Sequence, residues 1–100
     1  MLPLADNFRH ISPYGTIVGK IKYLQLVEAN KEQFLGYRFE IQDALYAGNK
    51  ACVRYSAIKD NFRMEVSEWH YISYGRIEKI VAYYNLEDKA NRKLQIDYTK

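Results

Sequence analysis

Apolar and polar residues alternate with a period of two through most of the second half of the chain. The alternation is clearest from Tyr37, where Tyr37, Phe39 and Ile41 are separated by polar side chains. Such a pattern predicts a β-strand that buries one face. Three further strands are predicted at residues 50–58, 62–73 and 77–84.

The connections between these strands are too short for anything but antiparallel neighbours. They consist of Ala47-Gly48-Asn49, Lys59-Asp60-Asn61 and Ser73-Tyr74-Gly75-Arg76. A parallel return would need a crossover of about a dozen residues or more. The second half of the chain is therefore predicted to form a four-stranded antiparallel meander.

The first third of the chain has a different period. Residues 8–11 predict a short strand that ends at the turn Ser12-Pro13-Tyr14-Gly15, because Pro fixes φ and Gly admits positive φ. Apolar residues then recur at helical spacing, which predicts one helix over about residues 17–30. The positions are Ile17, Ile21, Leu24 and either Val27 or Glu28, with Tyr23, Leu26 and Ala29 widening the apolar stripe. The expected class is α+β, with the meander and the short first strand in one sheet against one main helix.

Length and composition favour one ordered domain. The chain has 100 residues, 48% of them hydrophobic and 27% charged, which is typical of a globular protein rather than a disordered one. We expect a single domain over residues 1–100, with 86–100 as a C-terminal tail or a short helix. The N-terminus does not resemble a secretory signal and no apolar run approaches a membrane span. We therefore expect a cytoplasmic protein that does not bind membranes.

Charge and cysteine content exclude other classes. The net charge is +3, and Lys89-Ala90-Asn91-Arg92-Lys93 is the only local basic cluster. Nucleic-acid binders use larger basic patches, so no nucleic-acid partner is expected. The lone Cys52 lies in an apolar stretch, where core packing is expected rather than reactivity. Two histidines without a close acidic or thiol partner predict no metal site, and no motif predicts a cofactor.

Two groups of residues, at opposite ends of the chain, narrow the fold. Near the N-terminus they are Asp6-x-Phe8, Ser12-Pro13-Tyr14-Gly15 and Gly19-Lys20-x-x-Tyr23-Leu24. Near the C-terminus they are Glu68-Trp69-His70-Tyr71 and Gly75-Arg76-Ile77-x-x-Ile80-x-x-Tyr83-Tyr84-Asn85. In this order the motifs resemble the SnoaL-like members of the nuclear transport factor 2-like superfamily, over roughly residues 6 to 85.

That resemblance implies a cone-shaped pocket between a strongly curved sheet and covering helices, often in a homodimer. Members of the superfamily usually carry an N-terminal helical segment before the first strand, and only five residues precede Asp6 here. The resemblance therefore implies a cone that is open, covered by the C-terminal tail, or completed by a neighbouring subunit.

The ketosteroid isomerases of this superfamily supply a register for the pocket. Through the shared turn and hairpin, Ser12 falls where those enzymes place a carboxylate base, and Ser67 falls where they place a protonated carboxylic acid. A serine hydroxyl cannot replace a carboxylate that takes a proton from carbon, so isomerase chemistry of this kind is not expected. In this register the side chains that point inward are those of Ala51, Val53, Tyr55, Ala57, Glu65, Ser67, Trp69, Ile80, Ala82 and Tyr84. The ligand-binding residues it predicts are Ser12, Val53, Tyr55, Glu65, Ser67, Trp69, Ile80, Ala82 and Tyr84.

Glu65 and His10 are the candidate acid–base residues. Against Trp69 and Tyr55, the carboxyl group of Glu65 would have a raised pKa and could act as an acid or a base. The alternative is an ordinary glutamate at the rim, in water or paired with Arg63 or Arg54. A histidine such as His10 titrates near neutral pH and could serve in the same role.

The other sheet face is predicted to carry a homodimer interface, since it mixes apolar, aromatic and Arg residues. Its predicted members are Cys52, Arg54, Met64, Val66, Glu68, His70, Val81 and Tyr83. Three functions stay open at this point. They are binding of a small apolar molecule, a lyase-, hydrolase- or cyclase-type activity through Glu65 or His10, and a non-catalytic interaction module with a filled cone.

Overall fold

The computed structural model describes residues 3–84. The possible tail or helix at 86–100 lies outside the described residues. The helix and the strands are β1 (Leu4–Ser12), β2 (Gly15–Val18), α1 (Lys20–Ala29), β3 (Arg38–Ala47), β4 (Lys50–Lys59), β5 (Phe62–Ser73) and β6 (Arg76–Tyr83). A single 3₁₀ turn, Lys31–Phe34, follows α1.

The six strands within residues 3–84 form one curved sheet in the order β2-β1-β6-β5-β4-β3. The predicted meander is confirmed, because β3, β4, β5 and β6 pair antiparallel in chain order. The sheet as a whole is mixed rather than antiparallel, since β1 runs parallel to β6. That pairing is possible because the helix and the meander separate the two strands in the chain, which is more than a parallel return requires.

Two-residue turns join the strands of the meander. The turn between β5 and β6 has positive φ at both central positions, 51° at Tyr74 and 73° at Gly75. Turns of this kind match the right-handed twist of the flanking strands. The chain thus reverses sharply at each end of the sheet. The turn sets the whole register between β4 and β5, whereas the registers of β3 with β4 and of β5 with β6 also contain a shift, at Ile41/Asp43 and at Tyr71/Ile72.

The helix is shorter than the predicted span of 17–30. Residues 15–18 form β2 instead, which pairs Ile17 with His10 and buries the Ile17 side chain. Gly19 separates β2 from α1 with φ of 103°, a value that side chains larger than hydrogen disfavour. Its N–H donates to the Phe8 carbonyl at 2.7 Å. Ile17 therefore belongs to a strand, and its spacing from Ile21 and Leu24 fits a helix only by coincidence.

The buried side of α1 also differs from the predicted stripe. Ile21 is 73% exposed and Leu24 is 46% exposed, whereas Leu26 is buried. Tyr23 packs edge-to-face against Phe8, with ring centroids 4.9 Å apart. The helix thus presents Tyr23, Leu26 and Val27 to the sheet, which is one side of the predicted stripe, and leaves Ile21 and Leu24 on the other side in contact with water.

We call the sheet face that α1 covers the inner face. Cross-strand pairing and burial place on it Ala51, Val53, Tyr55 and Ala57 of β4, Phe62, Met64, Val66, Glu68 and His70 of β5, and Ile80 and Ala82 of β6. Two apolar clusters stabilise this side. One is built from Ala57, Phe62, Met64 and Val66, and the other from Phe8, Ile77 and Ile80.

Replacing Phe8 with Ala should destabilise the fold strongly. The side chain is completely buried in the second cluster, and deletion of a buried phenylalanine costs about 3–5 kcal/mol. The matched control is Phe39→Ala on the edge strand β3, where the side chain is 48% exposed. Urea unfolding of both variants measures the difference, and equal losses of unfolding free energy would contradict the assignment of Phe8 to the core.

Candidate functional site

A cavity of about 300 Å³ lies between α1 and the inner face. Small-molecule sites usually begin at about this volume and are lined mainly by apolar and aromatic groups. This cavity fits that description. Its walls are His10, Tyr23, Val27, Phe34, Tyr55, Met64, Val66, Glu68, Ala82 and Tyr84.

Glu68 is the charged residue in this wall. The Tyr55 hydroxyl donates to its Oε2 at 2.6 Å, and His70 Nε2 lies 3.1 Å from its Oε1. An ionised carboxylate only accepts hydrogen bonds, so Nε2 is the donor in the second contact. The Glu68 side chain is 21% exposed. Both of its oxygens are therefore engaged, in surroundings from which most water is excluded.

These contacts and burial decide the protonation states of Glu68 and Tyr55. Burial alone would raise the pKa of Glu68, but the hydrogen bonds from His70 and Tyr55 and the nearby histidines outweigh it and lower that pKa. Burial and the neighbouring Glu68 carboxylate raise the pKa of Tyr55. At neutral pH the cavity wall therefore presents a carboxylate hydrogen-bonded by a neutral phenol.

His10 lies in the same wall, on β1. Its ring stacks on Tyr23, with centroids 5.1 Å apart, and among the described residues its Nδ1 is buried without a hydrogen-bond partner. Burial lowers the pKa of His10, the Glu68 carboxylate opposes that shift, and His70 adds to it. The imidazole is thus held in its neutral form beside an apolar cavity.

A second, shallower groove of about 310 Å³ lies along the same face of the sheet. Phe39, Ile41 and Val53 form its apolar part. Tyr55 and Glu68 line both the groove and the cavity. The hydrogen-bonded pair therefore stands at the boundary between the two spaces.

The structure brings together only part of the predicted site. His10, Tyr55, Ala82 and Tyr84 line the cavity, and Val53 lines the groove. Ile80 belongs to the cluster with Phe8 and does not line the cavity.

Ser12 lies elsewhere, at the end of β1. Its Oγ accepts a hydrogen bond from the Tyr14 N–H at 3.2 Å, and it is not among the residues that line the cavity or the groove.

The predicted inward orientation of β5 is wrong by one residue. Tyr55 pairs with Val66, and Ala57 pairs with Met64, so Glu65, Ser67 and Trp69 point to the opposite face. A shift of one residue exchanges the two faces of a strand completely. These three predicted pocket residues consequently lie outside the cavity.

Glu65 is an ion-paired surface residue. Arg63 Nε donates to its Oε1 at 2.7 Å, and the Ser56 hydroxyl donates to its Oε2 at 2.8 Å. The hydrogen bonds from Arg63 and Ser56, and the nearby Arg54, lower the pKa of Glu65. A carboxylate in this setting is not an acid–base residue of the cavity. Glu65 is paired with Arg63, as the alternative proposed, but on the sheet face opposite the cavity and not at the rim.

The same shift changes the outer face, which we define as the face opposite α1. Met64, Val66, Glu68 and His70 were predicted to lie there and instead lie on the inner face. The other four predicted members do lie on the outer face. They are Cys52, Arg54, Val81 and Tyr83.

Glu68 and His70 are the functional candidates that sequence reasoning missed. The alternation of Phe62, Met64 and Val66 with charged or polar residues was the signal that could have found them. These three side chains are buried, and Glu68 and His70 continue their series at the same spacing of two. The register carried over from the isomerases conflicts with this pattern, and the structure follows the pattern.

The described residues contain no group of three or more His, Cys, Asp or Glu side chains arranged to hold a metal ion. In the same range, 3–84, no helix is long and apolar enough to cross a bilayer.

Stability should fall on acidification in two stages. The pKa of His10 is below 6.5 in the folded protein, so the unfolded chain takes up this proton first and stability declines as the pH falls below 6.5. The pKa of Glu68 is below 4.5 in the fold, so its contribution is present above 4.5 and is lost as the pH falls through the lower folded value. Urea unfolding at a series of pH values measures both stages.

The variant His10→Gln should remove the first stage and leave the second. The control His70→Gln leaves His10 in place, so the first stage should persist. An unchanged decline below pH 6.5 in His10→Gln would show that His10 is not the group responsible.

Comparison with known proteins adds information on the fold. Neither a protein-family model nor a curated protein sequence matches this chain. An NTF2-like protein of unknown function from Cytophaga hutchinsonii is similar over 84% of this chain and 70% of its own, with a TM-score of 0.70 and 20% identity. A candidate isomerase of the SnoaL-like family from Agrobacterium tumefaciens is similar over 83% of this chain and 74% of its own, with a TM-score of 0.71 and 23% identity.

The fold has also been made by design. A de novo designed NTF2 fold protein has a TM-score of 0.74 and 18% identity, over 92% of this chain and 68% of the designed one. At such identities the likeness shows the fold alone. This chain has the nuclear transport factor 2-like cone fold, as its sequence motifs indicated.

Proposed function

We propose that this protein binds a small, mostly apolar molecule in the cavity between α1 and the inner face, with Glu68 as its main polar contact. The observation that carries the proposal is a hydrogen-bonded carboxylate in the wall of an otherwise apolar and aromatic cavity. A few convergent polar groups among apolar walls are typical of small-molecule sites.

The burial of Glu68 supports a binding role over a purely structural one. A buried carboxylate costs free energy unless it is paired, and an apolar side chain in its place would fill the space without that cost. Tyr55 and His70 each engage one oxygen, and a carboxylate can accept more hydrogen bonds than these two. The remaining acceptor capacity is available to a ligand.

The comparisons support the proposal only as a fold analogy. The similar structures include a protein of unknown function and a candidate isomerase, so they do not select a ligand. The choice of Glu68 comes from the contacts in this chain.

Of the two acid–base residues predicted for an enzymatic activity, only His10 remains a candidate. Glu65 is exposed on the outer face and takes no part in the cavity. His10 lines the cavity and burial favours its neutral form, which is the form that a general base requires. Acid–base catalysis by His10 stays a prediction.

The interaction-module alternative required a cone filled by its own side chains. Residues 3–84 leave about 300 Å³ open between α1 and the inner face, which favours ligand binding over that alternative. Homodimer formation through the outer face and a cytoplasmic location also stay predictions.

Filling the cavity from the helix should weaken ligand binding. We use N-phenyl-1-naphthylamine, an apolar dye whose fluorescence rises on transfer from water to an apolar site. Val27→Phe places a ring in the cavity wall, where it takes space that the dye needs, and excluding about 50 Å² of dye surface from the apolar cavity corresponds to roughly tenfold weaker binding. Fluorescence titration of the wild-type protein and the variant measures the effect.

The matched control is Leu24→Phe, which adds a ring on the same helix. Leu24 is half-exposed and does not line the cavity, so the dye should bind this variant as it binds the wild-type protein. Equal binding by Val27→Phe and Leu24→Phe, or no binding by the wild-type protein, would contradict the proposed function.

A further inference from the structure

The cavity under α1 and the open groove beside it share two residues. Tyr55 and Glu68 line both, and their hydrogen bond of 2.6 Å lies at the boundary. The groove extends from this pair toward the edge strand β3, over Phe39, Ile41 and Val53. One continuous surface thus has an apolar space on each side of a central carboxylate.

The two apolar spaces differ in depth. The cavity is closed on one side by Tyr23 and Val27 of the helix. The groove has no such cover among the described residues, and Ile41 in its floor is 72% exposed. An isolated exposed apolar residue needs no explanation, but an apolar groove that continues a binding cavity is suited to a second part of the same ligand.

The central carboxylate selects the chemistry between the two parts. Tyr55 and His70 already donate to Glu68, so the protein satisfies it with donors on both oxygens. A carbonyl or ether oxygen placed there would bring an acceptor against a negative charge, whereas an N–H or O–H group would use a remaining lone pair.

We propose that the ligand of this site has two apolar arms joined by a central hydrogen-bond donor, with one arm under α1, the other on Phe39 and Ile41, and the donor on Glu68. This inference rests on the proposed function, since it describes the molecule that the same site takes.

Three compounds test the two parts of this description separately. Dibenzylamine has two aromatic arms and a central nitrogen that is protonated at neutral pH, so it is a charged N–H donor. Dibenzyl ether has the same arms with an acceptor in place of the donor, and N-methylbenzylamine has the donor with only one aromatic arm. Displacement of N-phenyl-1-naphthylamine from the wild-type protein gives the affinity of each.

Dibenzylamine should bind tightest of the three. Removing one aromatic arm should weaken binding about tenfold, because a half-buried ring takes roughly 50 Å² of apolar surface out of water. Replacing the donor by an ether should also weaken binding about tenfold, because a buried charged acceptor is then left facing another acceptor. Glu68→Gln should weaken the binding of dibenzylamine and tighten that of dibenzyl ether, because the neutral amide removes the negative charge and its N–H can donate to the ether oxygen.

The groove is tested by the double variant Phe39→Ala, Ile41→Ala. This variant should bind dibenzylamine about tenfold more weakly and should bind N-methylbenzylamine as the wild-type protein does, since the smaller compound fits in the cavity alone. The matched control is Leu45→Ala, on the same strand but on the outer face and 69% exposed. This control should bind all three compounds as the wild-type protein does.

The outcomes separate this inference from the proposed function. Equal affinities for dibenzylamine and N-methylbenzylamine, or for dibenzylamine and dibenzyl ether, would overturn the two-armed donor ligand. So would a failure of all three compounds to displace a dye that binds in the cavity. Failure of the dye itself to bind, or its indifference to Val27→Phe, would instead overturn the proposed function.

Discussion

The two-residue turn at Asp60 and Asn61 is the constraint on which the site depends. It pairs Lys59 with Phe62 and so fixes every later pair between β4 and β5. Because side chains alternate across a strand, this one register decides which alternate residues of β5 face the helix. It puts Phe62, Met64 and Val66 into the core and continues the same series to Glu68.

The consequence is a charge inside an apolar space. Glu68 lies on the inner face near Tyr55, and the hydrogen bonds from Tyr55 and His70 outweigh its burial. His10, buried nearby, is held neutral by the same exclusion of water. The cavity thus combines a carboxylate, a phenol and an uncharged imidazole, with apolar walls that leave these polar groups to determine which ligand is accepted.

Local patterns predicted the meander well, because its period-two alternation and its short turns are properties of neighbouring residues. The parallel pairing of β1 with β6 depends on contacts between distant parts of the chain, and β2 depends on the positive φ of Gly19. The parallel pairing has no local signature, and Gly19 is the single local signal for the break after β2. The face of β5 was different, since Phe62, Met64 and Val66 alternate with polar residues and could have set it. The resemblance to isomerases placed Ser67 inside the cavity by analogy. Such an analogy predicts a fold more reliably than it predicts the position of a single residue.

A crystal structure of the protein with N-phenyl-1-naphthylamine would test the central claim most directly. The account predicts the dye between α1 and the inner face, with its N–H group on a carboxylate oxygen of Glu68. Dye bound only on the outer face, near Trp69 and Tyr83, with the space beside Tyr55 and Val27 empty or filled by side chains, would contradict it.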